Sequence, residues 1–213
     1  MKYTIIEDCS PYYITFTHDG IEDYIALAKQ GIPNSFKNIK DPCFINYNLS
    51  AYNLKFASTL VEQTPISQNL PVRVRKVGWL VTGPHKRYHI HKDGHVEPGD
   101  QFAINYTVQV QDNLCVTRWY DDEEIRQYKV DSADHNTGRS IILPEETLRS
   151  FTPIKETIFK PNQVILFNTE IWHDWDNSRS PNPRLVLTFR QRVPNGIHSV
   201  GTFFDARNRL FGY

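Results

Sequence analysis

Cysteine is scarce in this chain of 213 residues: Cys9, Cys43 and Cys115 stand far apart. Their spacing forms neither a zinc motif nor an even disulfide set, so a disulfide-stapled secreted domain is excluded. Long apolar runs are missing too. Nothing approaches the roughly 18 residues of a membrane span, and the opening Met-Lys-Tyr-Thr-Ile-Ile-Glu-Asp has no signal-peptide apolar stretch. Excess charge of one sign is also lacking, since 24 Lys and Arg balance 24 Asp and Glu. A generalised electrostatic grip on nucleic acid is therefore not expected. There is no internal repeat or low-complexity tract. These absences describe a soluble, reduced, cytoplasmic protein of one domain.

Aromatic residues, by contrast, are abundant at 13%, as suits a β-rich core or an aromatic-lined pocket. Residues Tyr12 to Phe16 read as a first strand. Asp19, with Glu22 three residues on, forms a capping-box pattern for a helix with Ile21, Tyr24, Ile25 and Ala28 on its buried stripe. Gly31 and Pro33 stop it. A second helix is expected from about Ser50 to Glu62, so that residues 1–70 form a helical buttress. From residue 71 to 192 the pattern changes to short strands. The runs are Val72 to Val77, Phe102 to Val110, Leu114 to Tyr120, Thr157 to Phe159, Gln163 to Asn168 and Arg184 to Arg190. Such strands, separated by turn residues, predict an α+β, mainly β fold with a jelly-roll core. Residues 193–213 are read as a C-terminal extension. Residues 121–149, acidic and then turn-rich, are read as a solvated excursion, with a substrate lid as the sharper alternative.

Within this core, His91 and Asp93 stand two residues apart after the apolar run Val77, Trp79, Leu80 and Val81. In a strand, positions i and i+2 share a face, so the imidazole and carboxylate converge, and Gly94 lets the chain turn away. A second histidine, His173, follows the apolar run Val164 to Phe167. Two histidines and a carboxylate with open positions make the facial set of non-haem Fe(II) oxygenases. Eleven residues past His173 begins the strand Arg184 to Arg190. Its alternation puts Arg184, Val186, Thr188 and Arg190 on one face and Leu185, Leu187 and Phe189 on the other. Inward arginines call for an anion or a carboxylate partner. Alone, each feature also reads blandly: His91 and Asp93 as a surface ion pair, the arginines as solvent-facing.

Together, His91, Asp93, His173 and Arg184, in that order and spacing, resemble the Fe(II)/2-oxoglutarate-dependent dioxygenase superfamily over about Val72 to Arg192. The segment Ala103-Ile104-Asn105 with Arg118-Trp119-Tyr120-Asp121 is similar to small bacterial and phage members. The resemblance implies a double-stranded β-helix in which His91, Asp93 and His173 hold iron and Arg184 binds the distal carboxylate of 2-oxoglutarate. Arg190 is second in importance, and Asn105 or Tyr106 contacts the cosubstrate. With O2 the enzyme would release succinate and CO2 and oxidise, usually hydroxylate, a prime substrate: a peptide side chain, a nucleobase or a metabolite. A phage-encoded member would work in its host's cytoplasm.

Arg184 and Arg190 also look like the paired arginines of the nucleic-acid-demethylating branch. Val186 stands where that branch has Asn, and no Asn-x-Tyr precedes His91. A cupin without 2-oxoglutarate is the alternative enzyme class, since Gly83, His89 and His91 fit the opening of its metal motif and His173 with Asn177 part of its second half; His89, on the His91 face, is read as a ligand, a support for one or a substrate contact. A jelly-roll binding module without metal is the third class. Trp172 and Trp175 bracket His173 and are read as packing that keeps the site dry. Asp174 is read as a supporting contact or exposed, and Arg118 and Tyr120 as possible interior residues.

Overall fold

The computed structural model describes residues 2–64, 67, 69–70, 73–93, 102–110, 112, 114–126, 141–143, 146–147, 150–192 and 202–213. Twelve strands are seen among them: β1 (Tyr3–Cys9), β2 (Tyr13–His18), β3 (Phe44–Asn48), β4 (Arg73–Thr82), β5 (His91–Lys92) and β6 (Phe102–Gln109), then β7 (Val116–Trp119), β8 (Ile141–Ile142), β9 (Lys155–Thr157), β10 (Val164–Asn168), β11 (His173–Asp176) and β12 (Arg184–Arg192). The helices are α1 (Ile21–Gln30), α2 (Asn34–Lys37), α3 (Leu49–Tyr52), α4 (Leu54–Glu62), α5 (Asp122–Arg126) and α6 (Phe203–Phe211).

Two antiparallel sheets result. The larger runs β1-β2-β10-β6-β12-β4-β3 and the smaller β8-β5-β11-β7-β9. This is the jelly-roll core expected from the strand pattern, in the double-stranded β-helix form that the resemblance implies. Alternation in the central strands decides what each sheet face does. Phe102, Ile104, Tyr106 and Val108 of β6, Val164 and Leu166 of β10, and Leu185, Leu187 and Phe189 of β12 join one buried cluster with helical residues Tyr24, Ile25, Ala28, Leu60, Phe203 and Leu210. The opposite faces of these strands carry Ala103 and Asn105, Ile165 and Phe167, and Arg184, Val186 and Thr188, and face the smaller sheet. The central register is fixed by the pairs Thr188↔Asn105 and Val186↔Thr107.

Several expectations change. The expected first strand, Tyr12 to Phe16, is β2 within the larger sheet, and residues 1–70 add to the expected helices two further strands, β1 and β3, which form that sheet's two edges. Asp19 does not cap α1. The N-cap is Gly20 in the left-handed region at φ 75°, with no side-chain cap bond, a conformation a glycine adopts cheaply. The second helix is broken at Asn53, whose side chain accepts from the Phe56 N–H and starts α4 afresh. The C-terminal extension contains α6, closed by a reciprocal capping box between Thr202 and Asp205. Residues 127–140 of the acidic excursion, with Gly94, His95, His135 and His198, lie outside the described residues.

The helix–sheet core also holds a buried histidine. His18 is 5% exposed; its Nε2 lies 3.2 Å from the Tyr106 hydroxyl and its Nδ1 2.9 Å from the Asp19 carbonyl. Burial lowers its pKa, and burial lowers those of His91 and His173 as well. The unfolded chain takes up these protons near pH 6.5, before the folded one does. Acidification below about 6.5 therefore favours unfolding. Asp174, whose carboxyl burial raises, acts in the opposite sense, but one carboxyl stands against three histidines. The urea midpoint of metal-free protein should be lower at pH 5.5 than at pH 7.5. An unchanged or higher midpoint would contradict this.

Candidate metal centre

β5 and β11 pair antiparallel with His91 opposite His173. Both histidines face the space between the sheets and are buried, at 2% and 0% exposure. Asp93 follows β5, and its N–H donates to the Thr169 carbonyl at 3.0 Å, which fixes the turn-off point. His91 Nε2 lies 3.7 Å from Asp93 Oδ1, and His173 Nε2 lies 3.7 Å from Asp93 Oδ2. One ligand atom from each residue lies within 4.8 Å of the others, making this a three-residue group able to hold a metal ion.

Backbone contacts set the tautomers. His91 Nδ1 is 2.9 Å from the His89 carbonyl and His173 Nδ1 is 2.7 Å from the Ile171 carbonyl. A carbonyl only accepts, so Nδ1 carries the proton in each ring and Nε2 presents its lone pair toward Asp93. The His173 Nε2 is buried without a hydrogen-bond partner. Burial, and next the neighbouring His91, push the His173 pKa down to about 3. Burial likewise lowers His91. Burial would raise Asp93, but Arg190 first, then His91 and His173, outweigh it and hold the carboxyl well below the usual range. At neutral pH the donor set is two neutral imidazoles and one carboxylate, ready for a divalent cation without losing protons. Arg190 Nη2 donates to Asp93 Oδ2 at 2.6 Å, the oxygen that also faces His173 Nε2, and so orients the carboxylate.

His89 does not join this group. A cupin site would need it as a ligand; the observed geometry does not. His89→Ala should keep full metal content, measured beside His91→Ala, which should lose it. Equal loss in both would reinstate the cupin arrangement.

The outer face of the smaller sheet braces the ligand strands. Asp174 is fully buried, paired with Arg87 Nε at 2.7 Å and 3.9 Å from Arg118 Nη1. Arg87 also donates to the Tyr120 hydroxyl at 3.0 Å, and Arg118 donates to Asp176 at 2.6 Å. Arg118 and Tyr120 thus serve this brace rather than the interior. Trp172 belongs to the same outer face, in a cluster with Ile90, Tyr120, Ile125, Leu143 and Phe151. Of the two tryptophans only Trp175 packs on the ligand rings, at 5.2 Å from His91 and 5.7 Å from His173.

The space between the sheets contains groups whose partners are missing. Arg184 is 6% exposed, with its guanidinium carbon 5.9 Å from the Phe159 ring. The Cys115 thiol lies beside it, near enough for the guanidinium to oppose the rise that burial gives the thiol's pKa. Among the described residues no carboxylate forms a salt bridge with Arg184. Asn105 Oδ1, Thr107 Oγ1, Thr117 Oγ1, Thr188 Oγ1 and Trp119 Nε1 are all buried without hydrogen-bond partners. Strand parity places every one of them on the inner faces. Tyr106, one residue from Asn105, points the other way, into the helical layer beside His18 and Tyr24. The structure therefore brings His91, Asp93, His173, Arg190, Asn105 and Arg184 to one side of the larger sheet, and leaves Tyr106 on the other. Thr107, Thr117 and Trp119 were not singled out by sequence reasoning; alternation in β6 and β7 was the available signal.

No family model matches this chain, and no curated protein matches it. Solved structures do. The non-heme alpha ketoglutarate dependent carbocyclase SnoK from nogalamycin biosynthesis is 12% identical, with a TM-score of 0.51 over 89% of this chain and 87% of that one. AviO1 from Streptomyces viridochromogenes Tue57 is 12% identical, with a TM-score of 0.54 over 86% and 90%. HygX from Streptomyces hygroscopicus, solved with nickel and 2-oxoglutarate bound, is 12% identical, with a TM-score of 0.53 over 86% and 83%. At this identity the likeness is one of fold. This chain has the fold of 2-oxoglutarate-dependent non-haem enzymes and a His-Asp-His group able to hold a metal.

Proposed function

We propose that this protein is an Fe(II)- and 2-oxoglutarate-dependent dioxygenase acting as one domain. The observation that carries the reading is the buried Arg184. A guanidinium in a protein interior without a carboxylate is costly, and here it shares the inter-sheet space with a metal-ready triad. A dicarboxylate keto acid answers both: one end for the metal, the other for the guanidinium. The orphaned hydroxyls and amide between them fit a polar ligand and no apolar one.

In this reading His91, Asp93 and His173 hold the iron. Arg184 holds the distal carboxylate of 2-oxoglutarate, and Asn105, Thr107 and Thr188 line its path. Arg190 keeps Asp93 ionised and fixes its orientation, so the carboxylate stays a ligand as substrates exchange. Trp175 shields the histidines from water, and the Arg87–Asp174–Arg118 brace keeps β11 in register behind them. The bound metal and keto acid would supply the chemistry, an oxidation of a prime substrate by O2, most commonly a hydroxylation, with succinate and CO2 as the products of the keto acid. That substrate is a peptide side chain, a nucleobase or a metabolite. The free thiols of Cys9, Cys43 and Cys115 suit a reducing cytoplasm. The test is succinate release from 2-oxoglutarate by the Fe(II)-loaded protein across a substrate library. Release dependent on iron, O2 and one compound class is expected, and none under any condition would refute the reading.

A further inference from the structure

Trp119 ends β7 with its Cα opposite that of His173, and its ring is completely buried. Aromatic neighbours hold the indole in place. Tyr13 stacks on it at 4.9 Å and 20°, Phe167 lies at 5.6 Å, and Phe159 meets it edge-on at 6.2 Å. Tyr12 lies at 5.9 Å, Tyr13 gives its hydroxyl to Glu7, and the phenylalanines carry no oxygen, so the Nε1–H is left without a partner. Elsewhere in the fold an indole finds one: Trp79 donates to the Gly31 carbonyl at 3.2 Å and Trp172 to Asp122 at 2.9 Å. A buried indole N–H held rigidly without an acceptor is the exception, and it points to a ligand that brings one.

Two neighbouring groups share its situation. The Arg184 guanidinium lies over the same Phe159 ring that Trp119 touches. Thr117, two residues before Trp119 and on the same face of β7, also has a buried, unpaired hydroxyl. A cation from β12 and an indole N–H from β7 thus border one aromatic ring, and a buried, unpaired hydroxyl stands two residues along β7 on the same face.

Building on the dioxygenase reading, we infer that Trp119 Nε1 and Thr117 Oγ1 donate to the same cosubstrate carboxylate that Arg184 binds. β7 then supplies a neutral half of the distal anchor and β12 the charged half. One cation with two neutral donors suits a single carboxylate at the ligand's far end. It discriminates against keto acids that lack one, because their binding would leave all three donors unpaired.

Trp119→Phe keeps a ring against Tyr13, Phe159 and Phe167 and removes only the donor. Anaerobic titration of the Fe(II) protein, followed by the visible band of keto-acid chelation, should show 2-oxoglutarate binding weakened by about tenfold. Pyruvate, which has the chelating end and no distal carboxylate, should bind the variant as weakly as it binds wild type. Equal affinity of variant and wild type for 2-oxoglutarate would overturn the inference, as would a parallel loss of pyruvate binding. Should Trp119→Phe fail to retain iron, Thr117→Val, equal in shape, carries the same test with the same selective loss expected. Wild-type protein that binds no 2-oxoglutarate refutes the dioxygenase reading itself; wild-type binding with an indifferent Trp119→Phe refutes only this assignment.

Discussion

Replacing Asp93 with alanine should strip the protein of iron and abolish succinate release. The carboxylate sits between both Nε2 atoms at 3.7 Å and supplies the only negative charge of the three-residue group. Losing a contact that merely orients a ligand costs about tenfold to a hundredfold in metal affinity. Removing the ligand should cost more. A second effect compounds the first, because Arg190 now donates to Asp93 at 2.6 Å. Without the carboxylate, that cation faces two imidazoles and any incoming metal with nothing between them. Asp93→Asn keeps the shape but not the charge, and should fail almost as badly. Metal analysis after reconstitution, paired with a succinate assay, decides the matter. Full iron content with activity in Asp93→Ala would remove the site from consideration.

Much of the site could be read from the sequence because it lies on strands whose two faces differ in kind. In β12, Leu185, Leu187 and Phe189 are apolar throughout, so Arg184 and Arg190 had to face the other way. A one-residue shift would have put leucines and arginines on each other's side. β7 gave no such contrast, since Thr117 and Trp119 alternate with Arg118 and Tyr120, and either pair suits a polar pocket or a half-buried face. Only its pairing with β11 and β9 decides that Arg118 meets Glu156 and the Asp174–Asp176 side while Trp119 turns inward. Asn105 and Tyr106 are adjacent, so strand geometry allowed at most one of them inside. The longer body of apolar helical residues needed Tyr106.

The elements missed were those with weak patterns of their own. β1 is an edge strand with a mixed burial pattern and acidic residues Glu7 and Asp8. β3 is short, carries two asparagines, and has no fully buried residue. Both are strands because a neighbour offers hydrogen bonds, and that is tertiary information. The helix α6 did carry a local signal, Thr202 with Asp205 three residues later, which is one methylene shorter than the commoner Glu.

Arg184→Ala should leave iron binding intact and cripple the response to 2-oxoglutarate. The guanidinium is not a metal ligand: it stands at the start of β12, six residues before Arg190, the arginine that contacts Asp93. Its loss should not be felt at the histidines. A hydrogen bond to a charged group is worth about 1.5–3 kcal/mol, and a paired guanidinium–carboxylate contact contains two, so affinity for the cosubstrate should fall by about a hundredfold or more. Arg184→Lys keeps the charge but loses the fork, and should lie between alanine and wild type. Removing the side chain also leaves the Cys115 thiol and the Phe159 face against a cavity, so thermal stability must be followed alongside binding. If the folded alanine variant binds 2-oxoglutarate as wild type does, the distal carboxylate belongs elsewhere. Arg190 would then be the candidate on this side of the sheet, since Arg118 is engaged with Asp176 on the outer face. A wild-type protein that shows no chelation band at all would instead return the fold to metal chemistry without a keto acid.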